Sequence, residues 1–476
     1  MFNELLYRYR HCFWSFRHNM SGHAETMLRG YLQLSGKRTC TEIASGILGD
    51  VDKAQNLQQF MSDSKWDHNT VFGQVCADIV GHLGLSSGTL NIDEVGLPCV
   101  GRYKAGSSHQ YMGTTGHVEQ GQVAVLASYY CHSNWLLTGA ELYLPQSWFS
   151  EPFRSLWSKL RIAADTTFKT KIQLACDLIA RNLSSGLVFE RVGADSLYGR
   201  SSYFRHYIRS LGKKYVVSIP SDTFVWLSDP LTDAQAKASS VSEIAKTCQT
   251  ETITVRDTER GELTTEHAFV AVWTKISQEI DEKEETDKPK KRSKKGNKGD
   301  TAEISEVGET ETTNELTYTF QKEVLCIRKE DTGAWGYALS NYALSDKLAI
   351  AEGRSERYFV ERTIQDGKSE LGMDDSQALK YTALMRNFAI CAMALVLLAT
   401  FKLHLQEQQP PIEEVQETYP DVKKVPQLSL KNLKVLLCAA IKLPPISDET
   451  AIKMVKSAIE NRTKSKQSKS KHKNLN

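Results

Sequence analysis

Three charged residues share one face of a candidate helix in the last third of the chain. At 3.6 residues per turn, Arg357, Glu361 and Lys368 fall within about 60° of one another. The same chain segment leads into an apolar run, residues 388–401. A carboxylate between two cations, on a helix that runs into a core, is well placed to hold a metal ion.

Two further carboxylates, Asp93 and Asp195, interrupt or end strand-like runs earlier in the chain. Phosphoryl transfer on nucleic acid can use two divalent ions about 3.5–4 Å apart, which activate the attacking oxygen and stabilise the leaving one. Mg²⁺ prefers carboxylate oxygens, and bound metal offsets the repulsion between converging carboxylates. Together with Glu361, these residues predict a metal-dependent enzyme that acts on a phosphate backbone.

Each carboxylate also has a structural interpretation. Asp93 is followed by Glu94, and adjacent strand residues point to opposite faces, so either could face the metal; we expect Asp93. Asp195 could cap a helix that starts near residue 201. Glu361 could form an ordinary i, i+4 ion pair with Arg357.

Composition bounds the class of protein. The 476 residues suffice for two to four domains, 41% of them are hydrophobic, and the net charge of +2 means that any basic surface must be local. The ten cysteines include no C-x-x-C pair, which favours reduced thiols in a cytoplasmic protein. The N-terminus lacks the apolar core of a signal peptide, and the run 388–401 is shorter than the roughly 20 residues that span a bilayer. We therefore expect a buried helix and no membrane segment.

The hydrophobic period changes along the chain and defines the expected elements. Residues 1–86 have helical spacing, and alternation typical of strands begins near residue 88. We expect strands and helices in the order three strands, helix, strand, helix, strand, over residues 89–93, 122–130, 135–144, 170–183, 189–195, 203–211 and 214–219. The first three strands are expected to pair antiparallel, and the last two to be parallel neighbours. This is the element order of a ribonuclease H-like fold, an α/β mixed sheet with flanking helices.

Five regions follow from these patterns. Two strand-rich pieces, 250–276 and 316–342, flank a low-complexity stretch, 279–313, which we expect to be a disordered linker. The last part of the chain contains two expected helices, 428–443 and 447–461, and a basic tail. The predicted organisation is a helical region for DNA binding or dimerisation, a catalytic core in two parts around a β-rich insertion, and C-terminal helices, over residues 1–86, 87–221, 222–344, 345–405 and 406–476.

Several motifs, in order, carry a resemblance to a known family. Arg357, Glu361 and Lys368 have the R-x3-E-x6-K spacing, residues 91–98 (Asn-Ile-Asp-Glu-Val-Gly-Leu-Pro) are similar to I-D-D-T-G-F-P, and residues 110–123 are similar to Q-Y-x-G-x-x-G-x5-Q-V. Further similar stretches are residues 57–67, 142–148 and 193–199. Over roughly residues 20–405 the chain resembles the DDE transposases of bacterial insertion sequences, whose last catalytic helix carries Y-x2-R-x3-E-x6-K.

This resemblance implies a function and a site. Asp93, Asp195 and Glu361 would bind two Mg²⁺ or Mn²⁺ ions, nick transposon ends by hydrolysis, and join the freed 3′-hydroxyls to target DNA, in some relatives through a hairpin. A homodimer would act on paired ends, in the cytoplasm and associated with the nucleoid, and the helical N-terminal region would read the terminal repeats. We expect DNA contacts from four basic residues: Arg102, Lys104, Arg357 and Lys368.

Two positions depart from the family pattern, and two other interpretations stay open. Arg354 stands where the signature has Tyr, and Cys99 stands where a basic residue is common. The candidates to hold a flipped base are Trp226, Trp273 and Trp335, by location only, and core packing is the more expected role of each. The alternatives are an inactive, transposase-derived DNA-binding protein and a structural protein whose carboxylates form only ion pairs.

Overall fold

The computed structural model describes residues 1–15, 17–113, 116–258, 261–277, 318–330, 333–408, 411–418, 420 and 428–441. The expected linker 279–313, the helix expected over 447–461 and the basic tail lie outside the described residues. The described chain is mixed α/β and forms two compact units. Unit 1 comprises Met1–Ala194, Ile253–Thr264 and the chain from Ala351 onward, and unit 2 comprises Asp195–Thr252 and Thr265–Ile350.

The N-terminal part of unit 1 is helical, as its spacing predicts. Its elements are α1 (Phe2–Tyr9), β1 (Trp14–Ser15), β2 (His18–Asn19), α2 (Ser21–Gln33), α3 (Cys40–Leu48), α4 (Ala54–Ser62) and α5 (His68–Gly81). Local chemistry fixes the ends of these helices. The Thr39 side chain caps α3 by accepting from the backbone N–H of Glu42, and the Asp67 side chain caps α5 by accepting from Asn69.

The sheet of unit 1 follows. Its elements, with the helices between them, are β3 (Gly88–Pro98), β4 (Ser108–Met112), β5 (His117–Cys131), β6 (Asn134–Leu142), α6 (Trp157–Leu160), α7 (Lys171–Ser184) and β7 (Phe189–Ala194). β3 pairs antiparallel with β5 and parallel with β7, and β5 pairs antiparallel with β6 and β4. The antiparallel pairing expected for the first three strands is confirmed in β3, β5 and β6. β4 was not expected as a separate strand.

Unit 2 begins at Asp195 and is rich in strands. Its elements are α8 (Ser196–Arg200), α9 (Ser202–Ser210), β8 (Lys214–Ile219), β9 (Phe224–Trp226), β10 (Ala238–Ser240), α10 (Val241–Ala245), β11 (Glu251–Thr258, continuing into unit 1), β12 (Gly261–Ser277, beginning in unit 1), β13 (Tyr318–Lys329) and β14 (Trp335–Ser340). The strands β12, β13, β14 and β8 pair antiparallel in that order. Both strand-rich pieces expected from the sequence are present, whereas β9, β10 and α10 were not expected.

A buried carboxylate lies in the core of unit 2. Glu323, whose side chain is fully buried, accepts hydrogen bonds from the hydroxyls of Tyr215 and Thr274 and lies 3.4 Å from the Arg205 guanidinium. Arg205 in turn donates to the carbonyl oxygens of Gly199 and Lys275. Because a buried charge is tolerated only when it is paired and hydrogen-bonded, this network fixes β12, β13 and α9 to one another.

The chain returns to unit 1 through further helices. They are α11 (Lys347–Glu356), α12 (Tyr358–Leu371), α13 (Tyr381–Glu407), α14 (Ile412–Thr418) and α15 (Leu430–Ala440). α13 is longer than the expected helix 388–401 and packs against β6, α5 and α2. It is long and apolar enough to cross a membrane, with a mean hydropathy of 2.1 over its most apolar window, yet 72% of that window is buried inside the protein. Such burial is typical of the core helix of a compact protein.

Arg386 joins α13 to the turn between α4 and α5. Its guanidinium is buried and donates to the carbonyl oxygens of Phe60, Met61 and Trp66, at 3.3, 3.1 and 2.5 Å. It also lies over the Trp66 ring, 4.8 Å from the centroid. Burial lowers the pKa of Arg386 to about 10, so it stays charged at neutral pH. The N-terminal helices are thus held on the same core helix as the sheet.

Lys402, near the end of α13, makes stability depend on pH. Burial lowers its pKa from 10.5 to about 8, while its ammonium donates to the Ser133 carbonyl and lies 5.3 Å from the Trp135 ring centroid. Between pH 8 and 10.5 the unfolded chain holds this proton and the folded chain loses it, so stability rises with pH in this window. We expect the free energy of unfolding to rise by roughly 2–3 kcal/mol more in the native protein than in Lys402→Met. Urea unfolding of both proteins from pH 7.5 to 10 checks this; parallel pH curves would contradict it.

Candidate active site

Arg357 brings Asp93 and Glu361 together. Asp93 lies on β3 and Glu361 in the first turn of α12, and Arg357 is the residue immediately before that helix. Its guanidinium lies 2.7 Å from Oε1 of Glu361 and 3.7 Å from Oδ2 of Asp93. The side chain of Glu361 is 51% exposed and that of Asp93 is 18% exposed. Two carboxylates from distant parts of the chain therefore lie around one cation. The i, i+4 ion pair considered from the sequence is present, and it is shared with a third residue.

The neighbouring carboxylate, Glu94, has a different partner. Its Oε2 lies 2.8 Å from the ammonium of Lys171 at the start of α7, and Lys171 also lies over the Tyr143 ring. Asp93 Oδ1 accepts from the backbone N–H of Glu94 at 2.7 Å. Since the two side chains leave the strand in opposite directions, the geometry associates Asp93, and not Glu94, with Glu361.

Aromatic and polar contacts hold α12 on the sheet. Phe359 stacks on Tyr130 of β5 with ring centroids 3.8 Å apart, and the guanidinium of Arg256 covers the ring of Phe359 at 4.8 Å. One turn later the Thr363 and Ser128 hydroxyls are 2.6 Å apart. The apolar face of α12 is thereby buried while Glu361 remains on the accessible side.

The end of α12 has a second polar anchor. The indole N–H of Trp135 donates to Asp366 at 2.9 Å, and Arg362 lies 3.2 Å from the same carboxylate. Burial is the main cause that raises the pKa of Asp366, against the lowering effect of Arg362 and Trp135. The Asp366 carboxylate therefore stabilises the end of α12 and is not a member of the candidate site.

A buried polar network fixes the chain just before Arg357. Glu356, the last residue of α11, accepts from the Thr89 hydroxyl and lies 3.2 Å from the Arg191 guanidinium, which also donates to Thr89 at 2.9 Å. The side-chain amide of Asn91 donates to the backbone carbonyl of Glu356 at 3.3 Å. Thr89 and Asn91 lie on β3 and Arg191 lies on β7, so the start of α12 is tied to both strands. We call these four residues the Glu356 anchor. The motifs did not indicate it, because its members become neighbours only through folding.

Gly193 completes the Glu356 anchor. It lies opposite Asn91 in the parallel β3–β7 pair, and a Cβ at this position would lie 2.2 Å from Asn91 Oδ1. Asn91 is fully buried, and its Oδ1 has no hydrogen-bond partner in the described part of the chain. The absence of a side chain at Gly193 is what gives Asn91 room to reach Glu356.

Asp195 follows β7 and starts unit 2. Its Oδ1 accepts from the backbone N–H groups of Leu197 and Tyr198, so Asp195 is the N-cap of the short helix α8. The helix that starts near residue 201 is capped by Ser201 instead, so that structural interpretation of Asp195 was wrong in its detail. In unit 1, the last residue of β7, Ala194, lies opposite Ile92, the residue before Asp93.

The structure brings together two of the three candidate metal-binding carboxylates. Among the described residues, no three His, Cys, Asp or Glu side chains lie close enough together to hold a metal ion. Asp93 and Glu361 do surround a cationic group, and their oxygens are donors that a hard divalent ion prefers. The donor chemistry fits Mg²⁺, with the Arg357 guanidinium lying between the two carboxylates.

The basic residues expected to contact DNA have different surroundings. Lys368 is half-buried, donates to the Gly96 carbonyl of β3 at 3.1 Å, and has its pKa lowered mainly by burial. Arg102 is exposed and lies over the Tyr103 ring, and Lys104 is half-buried. The DNA contacts expected for these three residues and for Arg357 remain predictions.

The structure also shows the surroundings of Arg354 and Cys99, which depart from the family pattern, and of the three candidate tryptophans. Arg354 lies in the last turn of α11, and burial raises the pKa of the Cys99 thiol against the lowering effect of Lys104. In unit 2, Trp226 and Trp273 are paired residues of adjacent strands, and Trp226 packs edge-to-face on Phe320 at 5.0 Å. These contacts favour packing for both tryptophans, whereas Trp335 is 40% exposed.

Comparison with known proteins identifies the class. The sequence profile of the DDE superfamily endonucleases matches residues 9–258, more than half of the chain, so the chain belongs to this family. A curated relative is the "Probable transposase for insertion sequence element IS701" of Microchaete diplosiphon, 31% identical over 191 residues. The aligned part is 40% of this chain and 46% of the relative, so the chain spans less than half the length of that protein. The resemblance inferred from the motifs is thereby confirmed.

The contact between Gly193 and Asn91 predicts a non-additive pair of substitutions. Gly193→Ala should destabilise unit 1 by about 1–3 kcal/mol, because its Cβ collides with Asn91 Oδ1. Asn91→Ala alone should cost about 1 kcal/mol by removing the hydrogen bond to Glu356. The double variant should be more stable than the sum of the two predicts, since the collision is gone. Urea unfolding measures all three.

Gly73→Ala is the matched control for this pair, because a Cβ at Gly73 meets nothing closer than 3.8 Å. It should change the free energy of unfolding by less than either variant at the anchor. Strict additivity of the Gly193 and Asn91 effects would show that the anchor does not depend on this contact.

Proposed function

We propose that this chain is a DNA transposase with a ribonuclease H-like catalytic core. In this proposal Asp93, Asp195 and Glu361 bind two divalent ions, Mg²⁺ or Mn²⁺, nick the ends of an insertion sequence, and join the 3′-hydroxyls to target DNA. Family membership supports the nuclease chemistry, and the similarity to a probable transposase supports transposition.

The observation that carries the proposal is the shared cation between Asp93 and Glu361. Two acidic side chains would repel one another if no cation lay between them. The fold instead holds the strand carboxylate and the helix carboxylate on opposite sides of one guanidinium, and it anchors α12 on both β3 and β7 before that helix begins. This is the arrangement expected of residues positioned to share a cation.

The register of the parallel strands β3 and β7 supports Asp195 as the third carboxylate. Ala194 and Ile92 are paired in the parallel β7–β3 ladder, and the residue after each is an aspartate, Asp195 and Asp93. Asp195 follows the last residue of β7, whereas Asp93 lies in the middle of β3, so continuing the parallel register by one position would bring Asp195 toward Asp93. The proposal therefore requires Asp195 to serve the site while it caps α8, and Arg357 to move off the two carboxylates when divalent ions bind.

The residues of the chain then have distinct tasks. Divalent ions bound to the carboxylates would supply activation of the attacking oxygen and charge stabilisation of the leaving oxygen. Once released, Arg357 would be available to a phosphate of the bound DNA as a bidentate donor, and Lys368, Arg102 and Lys104 would lie along the backbone. Two protomers acting on paired ends, in the cytoplasm and on the nucleoid, complete the proposal.

Nuclease activity can be tested by comparing variants of Asp93 with variants of its neighbour Glu94. A duplex that carries the element's ends should be nicked in the presence of Mg²⁺ or Mn²⁺, and Asp93→Asn, Asp195→Asn and Glu361→Gln should each lower the rate by at least about 100-fold. Glu94→Gln is the matched control, since Glu94 pairs with Lys171 and should keep most of the activity. Nicking that survives the triple substitution would exclude this site. DNA binding without nicking would instead favour an inactive, transposase-derived DNA-binding protein.

Metal binding can be tested without DNA. If the carboxylates bind Mn²⁺, saturating metal should stabilise the folded protein, by about 2.7 kcal/mol at 100 times the Kd. Thermal unfolding with and without Mn²⁺ should show this rise in Tm for the native protein and for Glu94→Gln. The rise should disappear in Asp93→Asn and shrink in Glu361→Gln. An equal rise in Asp93→Asn would place the bound ion elsewhere.

A further inference from the structure

An exposed aromatic and basic surface lies at the N-terminus of unit 1, away from the carboxylates by sequence and by element. Tyr7 on α1 is 69% exposed and Trp14 on β1 is 52% exposed. Between them, the Arg10 guanidinium lies 5.3 Å from the Tyr7 ring centroid and 5.8 Å from that of Trp14. We call these three residues the Tyr7–Arg10–Trp14 patch.

The residues next to Tyr7 and Trp14 are fixed in the fold, and this holds the two rings on the surface. Phe13, next to Trp14, is buried against Phe60 and Trp66, with ring centroids 6.0 and 5.1 Å away. Arg8, next to Tyr7, pairs with the buried Asp78 of α5 at 3.1 Å. The fold thus buries one side of this segment and presents the other side to solvent, and large apolar groups exposed in this way mark interaction sites.

The charge close to the patch along the chain is mostly positive, and the exposed Glu4 of α1 lies 3.5 Å from Arg8. From residue 5 to residue 24 the chain contains three arginines and three histidines and neither Asp nor Glu. His11, Arg17 and His18 are exposed, like Arg10. No carboxylate of the described residues lies within ion-pair distance of Arg10. A polyanionic partner complements this surface, and an acidic-rimmed or neutral partner does not.

The chemistry of Arg10 defines the partner more closely. A guanidinium that lies over two rings is attracted to both by cation–π interaction. A guanidinium can also donate two parallel hydrogen bonds to a phosphate. Rings beside it can cover the sugar or stack on a base where a strand is unpaired. We propose that the Tyr7–Arg10–Trp14 patch is a DNA-backbone contact, in which Arg10 binds a phosphate and Trp14 and Tyr7 hold it in place. This inference rests on the proposed function, and it assigns a specific DNA contact to the N-terminal helices.

The test measures binding of a labelled duplex of arbitrary sequence to the full chain across a series of salt concentrations, without divalent metal. Arg10→Ala should weaken binding at low salt about five- to tenfold and reduce the slope of log Kd against log salt by about 1. Trp14→Ala should weaken binding about threefold or more, and Trp14→Phe, which keeps a ring under Arg10, should recover most of it.

Controls separate the patch from bulk charge and from folding. Arg154→Ala removes another exposed arginine that lies over a tryptophan, Trp157 at 3.7 Å, and should leave affinity within about twofold. Because Tyr7, Arg10 and Trp14 are exposed, all variants should keep the Tm of the native protein within about 2 °C.

The outcomes distinguish the two proposals. Failure of the native protein to bind duplex DNA at low salt would overturn both of them. Native affinity in Arg10→Ala and Trp14→Ala, or an equal loss in Arg154→Ala, would overturn the patch and leave the proposed nuclease function intact. Altered self-association in Trp14→Ala with native DNA affinity would also overturn it, because the patch would then bind a second copy of the chain.

Discussion

The guanidinium of Arg357 is the contact on which the candidate site depends. It lies between an aspartate on the central strand β3 and a glutamate on α12, and it is itself the residue that begins that helix. One cation therefore lies between two anions that come from distant parts of the chain. The positive charge of Arg357 offsets the repulsion that two neighbouring carboxylates exert on each other.

That contact is stable only because the start of α12 is fixed independently. The Glu356 anchor ties the preceding residue to β3 and β7 through buried groups, and the aromatic stack of Phe359 on Tyr130 fixes the first turn. Buried polar groups are costly when they are left incomplete, so such an anchor favours one position of the helix over neighbouring ones. The position of Glu361 follows from these contacts, and its own side chain remains half exposed.

The hydrophobic periodicity of the sequence predicted most of the longer strands and helices but not the contacts between them. The strands β3, β5, β6, β7 and β8 and the helices α7 and α9 occur where alternation or helical spacing predicts them, since both signals arise from burial of one face. The short strands β1, β2, β9 and β10 carry too few residues for alternation to be visible. α13 extends beyond its apolar run because buried polar residues such as Arg386 and Asn387 find partners inside the protein.

For the candidate site, too, the residues could be predicted better than their contacts. The association of Glu361 with Asp93 was expected from residue types and a family resemblance, and the structure places both beside the Arg357 guanidinium. Their role as metal ligands stays a prediction. The roles of Asn91, Arg191 and Glu356 could not be read from sequence, because a buried asparagine facing a glycine across a parallel ladder leaves no local pattern. The convergence of Asp195 with the other two carboxylates remains a prediction.

The place of the Glu356 anchor along the chain has an evolutionary consequence. The strands of unit 2 lie between Asp195 and Glu356 along the chain, and Glu361 comes after Glu356. A change of length in that intervening stretch ends at a residue already fastened to β3 and β7. Segments of unit 2 that follow Asp195 can therefore diverge or grow while the Glu356 anchor and the contact of Arg256 with Phe359 keep α12 in place. Lineages of this protein should tolerate large differences in size there while residues 356–361 keep constant spacing.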